Sequence, residues 1–175
     1  MILLVVDVQT GIMDERLYEF EKVKRNIGSL IQEARKNQIE VIYVRHDDGP
    51  GSGFSKGDKD FEIYSDFAPN KEEKIFDKSV NSAFHKMTGL VNYLAEKKES
   101  NVMIVGLQTD YCMDATIKSG FEHSYKMIVP EFTNSTMDNP YFSKETGYQF
   151  YNQLMWPGRY AETVSMEKAM EMMKK

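Results

Sequence analysis

The chain has 175 residues, 41% hydrophobic and 28% charged, with one cysteine. That is one domain's worth of chain, read as a single unit over 1–175, and the composition excludes a disordered chain, a collagen and a disulfide scaffold. The net charge of -5 disfavours nucleic acid and anionic membrane as partners.

Residues 2–6 (Ile-Leu-Leu-Val-Val) form a continuous apolar run. Such a run predicts a strand buried on both faces, as in a parallel sheet. It is too short for a signal-peptide core or a membrane span. With a lone cysteine, this points to a cytoplasmic protein. Over 16–36, Leu17, Phe20, Val23, Ile27, Leu30, Ile31 and Ala34 recur in steps of mostly three and four, which predicts an amphipathic helix. Glu40-Val-Ile-Tyr-Val44 is the next strand, completing one β–α–β unit. Residues 47–60 are loop chemistry, and Lys74-Ile-Phe-Asp77 is a short third strand. A helix is predicted over 86–97, a strand over 101–105, a helix from Thr109 to His123 and a strand over 126–129. Further on, 143–154 reads as a helix and 161–164 as a strand. Ser165 then caps a final helix over Met166–Met173. Alternating strands and helices predict an α/β fold: a Rossmann-like three-layer α/β/α sandwich around a mostly parallel, about six-stranded sheet.

In such folds ligands bind at the carboxyl ends of the strands, so residues just after each apolar run carry the interest. Cys112 follows one strand by a short turn that Thr109 or Asp110 can cap. A thiol at a helix N-terminus is shifted toward thiolate; the alternative is an inert buried cysteine. Asp7 ends the first strand, either as a general base or as a turn cap. Lys78 reads as a surface lysine, or as a cation beside Asp7 and Cys112. Gly49-Pro-Gly-Ser-Gly53 matches neither a Rossmann fingerprint nor a Walker A loop. It reads as a binding loop with Phe54 as an aromatic wall, or as a plain connection. No pair among His46, His85 and His123 has metal-ligand spacing, and His46 alone ends a strand.

Four segments together resemble the isochorismatase-like cysteine hydrolases, which include nicotinamidases and N-carbamoylsarcosine amidases. They are Leu3-Leu-Val-Val-Asp7-Val-Gln9, Val44-Arg-His46-Asp47, Lys78-Ser-Val-Asn-Ser-Ala-Phe84 and Val105-Gly-Leu-Gln-Thr-Asp-Tyr-Cys112. The resemblance covers residues 2 to about 135. It implies a triad of Asp7, Lys78 and the nucleophile Cys112. It also implies a cis peptide at Leu107–Gln108 and an oxyanion hole from the backbone N–H groups of Gln108 and Cys112. His46, Phe54, Phe84 and Tyr111 are the expected substrate contacts. The Asp-x-His pair of nicotinamidases is missing from the loop after the second strand. The expectation is therefore a metal-free branch with no cofactor. The presence of the cysteine argues against vinyl-ether hydrolysis.

The expected activity is cleavage of an amide-type C–N bond in a small molecule through a thioester. Two other classes stay open: a catalytically silent scaffold on this fold, and a redox sensor using Cys112. The resemblance also implies a homo-oligomer, and the aromatic-rich stretch of about 137–160 is its interface, a cover over the site or a segment packed against the sheet.

Overall fold

The computed structural model describes residues 1–174. Strand β1 (Ile2–Val6) is wholly buried, as its unbroken apolar run requires. It lies between β2 (Glu40–His46) and β4 (Asn101–Leu107), pairing with both in parallel. Beyond β2 lies β3 (Lys74–Lys78). Beyond β4 come β5 (Lys126–Pro130) and β7 (Glu162–Val164). The order is β3-β2-β1-β4-β5-β7, and every ladder is parallel.

The sheet has seven strands rather than about six. The additional strand is β6 (Asn134–Ser135), which pairs with the last two residues of β4. Two polar residues carry no hydrophobic periodicity, so nothing in the local sequence marks them as a strand.

Helices cover both faces of the sheet. On one face, Leu3, Val5, Val41, Tyr43, Met103 and Val105 pack against α1 (Phe20–Lys36) and α5 (Met166–Met173). On the other, Ile2, Leu4, Val6, Ile42, Val44 and Ile104 pack against α2 (Leu90–Lys97) and α3 (Asp114–Glu122). Trp156 is buried on that second face, and its indole N–H donates to Asp114 at 2.9 Å. The period-two alternation along each strand thus splits the core into two apolar layers. Helix α4 (Lys144–Gln149) continues into a π-helical turn over Phe150–Met155, one residue past the predicted 143–154. Ser165 caps α5 as expected, its side chain accepting from the Lys168 N–H. Among the described residues, no helix is long and apolar enough to cross a membrane.

The predicted helix starts at 16 and 86 prove early, since α1 begins at Phe20 and α2 at Leu90. In both cases a left-handed residue, Glu19 or Gly89, precedes the first helical one. That left-handed residue, rather than the apolar pattern upstream, sets the start of each helix.

From β1 the chain builds outward through β2 and β3, then returns to place β4 on the other side of β1. The carboxyl ends of β1 and β4 therefore flank the point where strand order reverses. Gly106 lies there at φ +134°, a conformation that L side chains rarely adopt. A Cβ at this position would stand 1.9 Å from the Val6 carbonyl oxygen. Gly106→Ala is expected to lose on the order of 4 kcal/mol or more in equilibrium urea unfolding. Gly158→Ala, at φ +69° with nothing within 4 Å of the added Cβ, should lose only about 1–2 kcal/mol. Equal losses would show that close backbone approach is not what demands Gly106.

Candidate active site

Parallel register brings the candidate residues together. His46 and Lys78 are register partners at the ends of β2 and β3. The Asp7 N–H donates to the Val44 carbonyl at 2.9 Å, which holds the end of β1 beside them. Asp7 itself takes φ +52°, turning the chain out of the sheet. From β4, the Leu107–Gln108 peptide is cis, and the chain passes into a π-helical turn over Thr109–Met113 that runs directly into α3. Cys112 sits in that turn.

Neither Thr109 nor Asp110 caps this helical segment. Gln108 occupies the capping position in extended conformation, without a side-chain cap bond. Thr109 instead donates to Asn134 Oδ1 at 2.6 Å, and Asp110 accepts from Thr136. Asn134 and Asn152 exchange two amide hydrogen bonds, of 2.8 and 3.0 Å. All these side chains but that of Asp110 are buried, so the bonds tie the Cys112 turn to β6 and to the segment after α4 in a region with little water.

Lys78 Nζ donates to Asp7 Oδ2 at 2.7 Å and to Cys112 Sγ at 3.2 Å, and lies 3.0 Å from His46 Nδ1. Asp7 and Lys78 are only 1% and 4% exposed, so both the turn-cap and the surface-lysine readings give way to a buried ion pair. Burial raises the Asp7 pKa, and the Lys78 charge works against that rise. The other oxygen, Oδ1, is buried without a hydrogen-bond partner.

Cys112 departs from the expectation of a resting thiolate. Burial, reinforced by the Asp7 charge, pushes the thiol up to about 12, with Lys78 opposing. The helix N-terminus does not overcome desolvation here. The resting centre is therefore a neutral thiol beside a carboxylate–ammonium pair.

A cavity of about 410 Å³ opens onto this centre. Its walls are Asp7, Ile12, His46, Asp48, Phe54, Asn81, Gln108, Tyr111 and Cys112. Three of the four expected contacts, His46, Phe54 and Tyr111, line it. Phe84 does not. It is buried against Tyr125 and His123, with ring centroids 5.1 and 5.9 Å away, and belongs to the core beneath α3. The turn after β3 sends Asn81 to the site and Phe84 inward. Asn81 Oδ1 stands 3.8 Å from Cys112 Sγ. Asn81 and Gln9 lie inside the recognised motifs but carried no assigned role. Gln9 clamps the end of β2 by accepting from the His46 N–H and donating to the His46 carbonyl.

Asp7, His46 and Cys112 also bring ligand atoms within 4.8 Å of one another, a spacing compatible with a metal ion. The Lys78 ammonium already occupies the centre of that set, within 3.2 Å of all three atoms. A second cation there would meet its charge, so the donors do not fit a metal.

Comparison with known proteins gives the family. The isochorismatase domain family matches residues 1–145. The uncharacterized isochorismatase family protein YrdC of Bacillus subtilis is 34% identical over 119 residues, spanning 66% of this chain and 63% of that protein. Streptothricin hydrolase of Streptomyces noursei is 26% identical over 140 residues, spanning 79% of this chain and 50% of its own length. The chain thus spans about half to two thirds of these two curated relatives. The crystal structure of a cysteine hydrolase from Pseudomonas syringae pv. phaseolicola superposes with a TM-score of 0.89 at 24% identity, covering 98% of this chain and 91% of that one. With its parallel sheet, its Asp7–Lys78–Cys112 cluster and the family match over 1–145, this chain belongs to the isochorismatase family.

Proposed function

We propose that the protein is a cysteine hydrolase that cleaves an amide-type C–N bond of a small molecule through a thioester. The observation that carries this reading is Cys112 held on the Asp7–Lys78 ion pair at the wall of a cavity large enough for a small substrate. The hydrolase named among its relatives supports it.

As the sulfur attacks the acyl carbon, Asp7 takes the Cys112 proton. The neutral resting thiol makes this coupled transfer necessary, and the buried carboxylate with raised pKa suits it. Negative charge moves to the acyl oxygen, where the backbone N–H groups of Gln108 and Cys112 stabilise it. Asp7 returns the proton to the departing amine, leaving an acyl-thioester. Asp7 then deprotonates a water that attacks the thioester, and the carboxylic product leaves with the thiol restored. The Lys78 ammonium, 2.7 Å from Asp7, opposes the rise that burial imposes on the Asp7 pKa and holds the carboxylate in place between proton transfers. Ile12, Phe54 and Tyr111 supply apolar walls for the substrate. A thiol held protonated offers little thiolate to peroxide, which favours this reading over a redox sensor.

Cys112→Ala should abolish hydrolysis in a screen of small amides; full activity in this variant refutes the mechanism. Asp7→Asn separates the roles of base and charge. It should lower turnover by about 10²–10⁴-fold, because the base is lost. The same change should speed alkylation of Cys112 by iodoacetamide at pH 7, because removing the nearby anion lets Lys78 stabilise the thiolate. Mass spectrometry reads that rate cleanly on a chain with one cysteine. Slower alkylation in Asp7→Asn would contradict the assigned electrostatics.

The chain also assembles as a homo-oligomer in this reading. Tyr141, Phe150 and Leu154, all within 137–160, are 93%, 42% and 70% exposed, and burying them between copies would remove apolar surface from water. Sedimentation velocity should find a species of at least twice the 20.3 kDa chain mass; a monomer refutes the assembly.

A further inference from the structure

His46 takes no part in the acyl-transfer steps above, yet it touches their charged centre. A lysine ammonium has three N–H donors and no lone pair. Those of Lys78 have three acceptors within reach: Asp7 Oδ2 at 2.7 Å, His46 Nδ1 at 3.0 Å and Cys112 Sγ at 3.2 Å. Each proton therefore has its own destination. The contact with Nδ1 is attractive only if that nitrogen presents its lone pair, because Lys78 cannot accept. The ring proton must then lie on Nε2, which is 3.0 Å from Asp48 Oδ1. A carboxylate accepts there and fixes this tautomer. The His46 backbone is held on both sides by the Gln9 amide, so the ring pivots from a clamped strand end.

Resting on the hydrolase reading, we infer that His46 is a positioning residue. Its Nδ1 lone pair holds the Lys78 ammonium on Asp7 and Cys112, and Asp48 selects the tautomer that exposes this lone pair. Without it, the ammonium has one unsatisfied donor in a buried site and is free to turn away from the thiol. Protonation of His46 has the same effect, since an N–H would then face an N–H and two cations would stand 3.0 Å apart.

The charged and titratable groups around the ring are Asp7 from β1, Lys78 from β3, Cys112 from its turn, and Asp47 and Asp48 from the loop after β2. Arg45 is directed elsewhere, onto Asp77 and Glu62.

Two readouts test this. The first is NMR of protein carrying isotope-labelled histidine. With three histidines in the chain, His46→Asn assigns the His46 signals by their loss. The expected result at the pH of the measured turnover is a neutral ring protonated at Nε2. A ring protonated at Nδ1, or an imidazolium, overturns the proposal. Asp48→Asn should give a mixture of tautomers, and an unchanged tautomer removes Asp48 from the argument.

The second readout is kcat and its rescue by a conservative variant. His46→Ala should lower kcat on the order of 10–100-fold, the range seen when a group supporting a catalytic residue is removed. His46→Asn places an amide oxygen where Nδ1 was. It should restore kcat to within about tenfold of the native enzyme. A His46→Asn variant as impaired as His46→Ala, or an unimpaired His46→Ala, overturns the proposal. If no amide is turned over while the Nε2-protonated ring is found, the hydrolase reading fails and the His46–Lys78 contact stands.

Discussion

The Asp7–Lys78 ion pair is the constraint around which the rest of this molecule is organised. Both groups are almost wholly removed from water, and Lys78 Nζ lies 2.7 Å from Asp7 Oδ2. Burying two charges carries a large desolvation cost, and removing either partner typically costs about 3–5 kcal/mol because the other is left unpaired. Such a pair adds little to stability compared with a hydrophobic core of equal volume. What it supplies is a fixed charge gradient beside Cys112. The same burial that strengthens this field suppresses ionisation of the thiol, so the resting site holds Cys112 in neutral form.

The sheet provides the precision that this pair needs. Four adjacent strands, β3, β2, β1 and β4, end at one level and deliver Lys78, His46, Asp7 and the Cys112 turn in that order. The reversal of strand order between β1 and β4 leaves no crossover connection above this point, which opens the crevice. Gly106 lets the two strands close to backbone contact there. Strand β6, with the Thr109–Asn134–Asn152 bonds, then fixes the turn from behind. Most of this support is backbone or buried amide. The strand ends and the Cys112 turn are therefore held by groups that do not themselves change charge.

Much of the fold was legible because hydrophobic patterning is a local property. The unbroken run at 2–6, the steps along 16–36 and the strand–helix alternation identify a parallel sheet without reference to any long-range contact. Asn134–Ser135 escaped because its strand character comes only from pairing with Gly106–Leu107. Phe84 was misplaced for a related reason. It lies in the same motif as Lys78, but that motif turns after β3, and proximity in sequence does not survive the turn. Gln9 and Asn81 were visible as motif members, while their roles depend on distances to residues tens of positions away.

Read along the chain, the residues carried the class of fold and, through the resemblance of four motifs to a known family, the three residues that meet at the site. These rest on periodicity and on motif order, both written along one dimension. The state of the Cys112 thiol, by contrast, was set in three dimensions. Whether Cys112 rests as thiol or thiolate depends on the balance between desolvation, the Asp7 anion and the Lys78 cation. Each of these varies with burial and with distances of a few ångströms between residues up to 105 positions apart. The tautomer of His46 follows in the same way, from where Lys78 and Asp48 stand on either side of its ring.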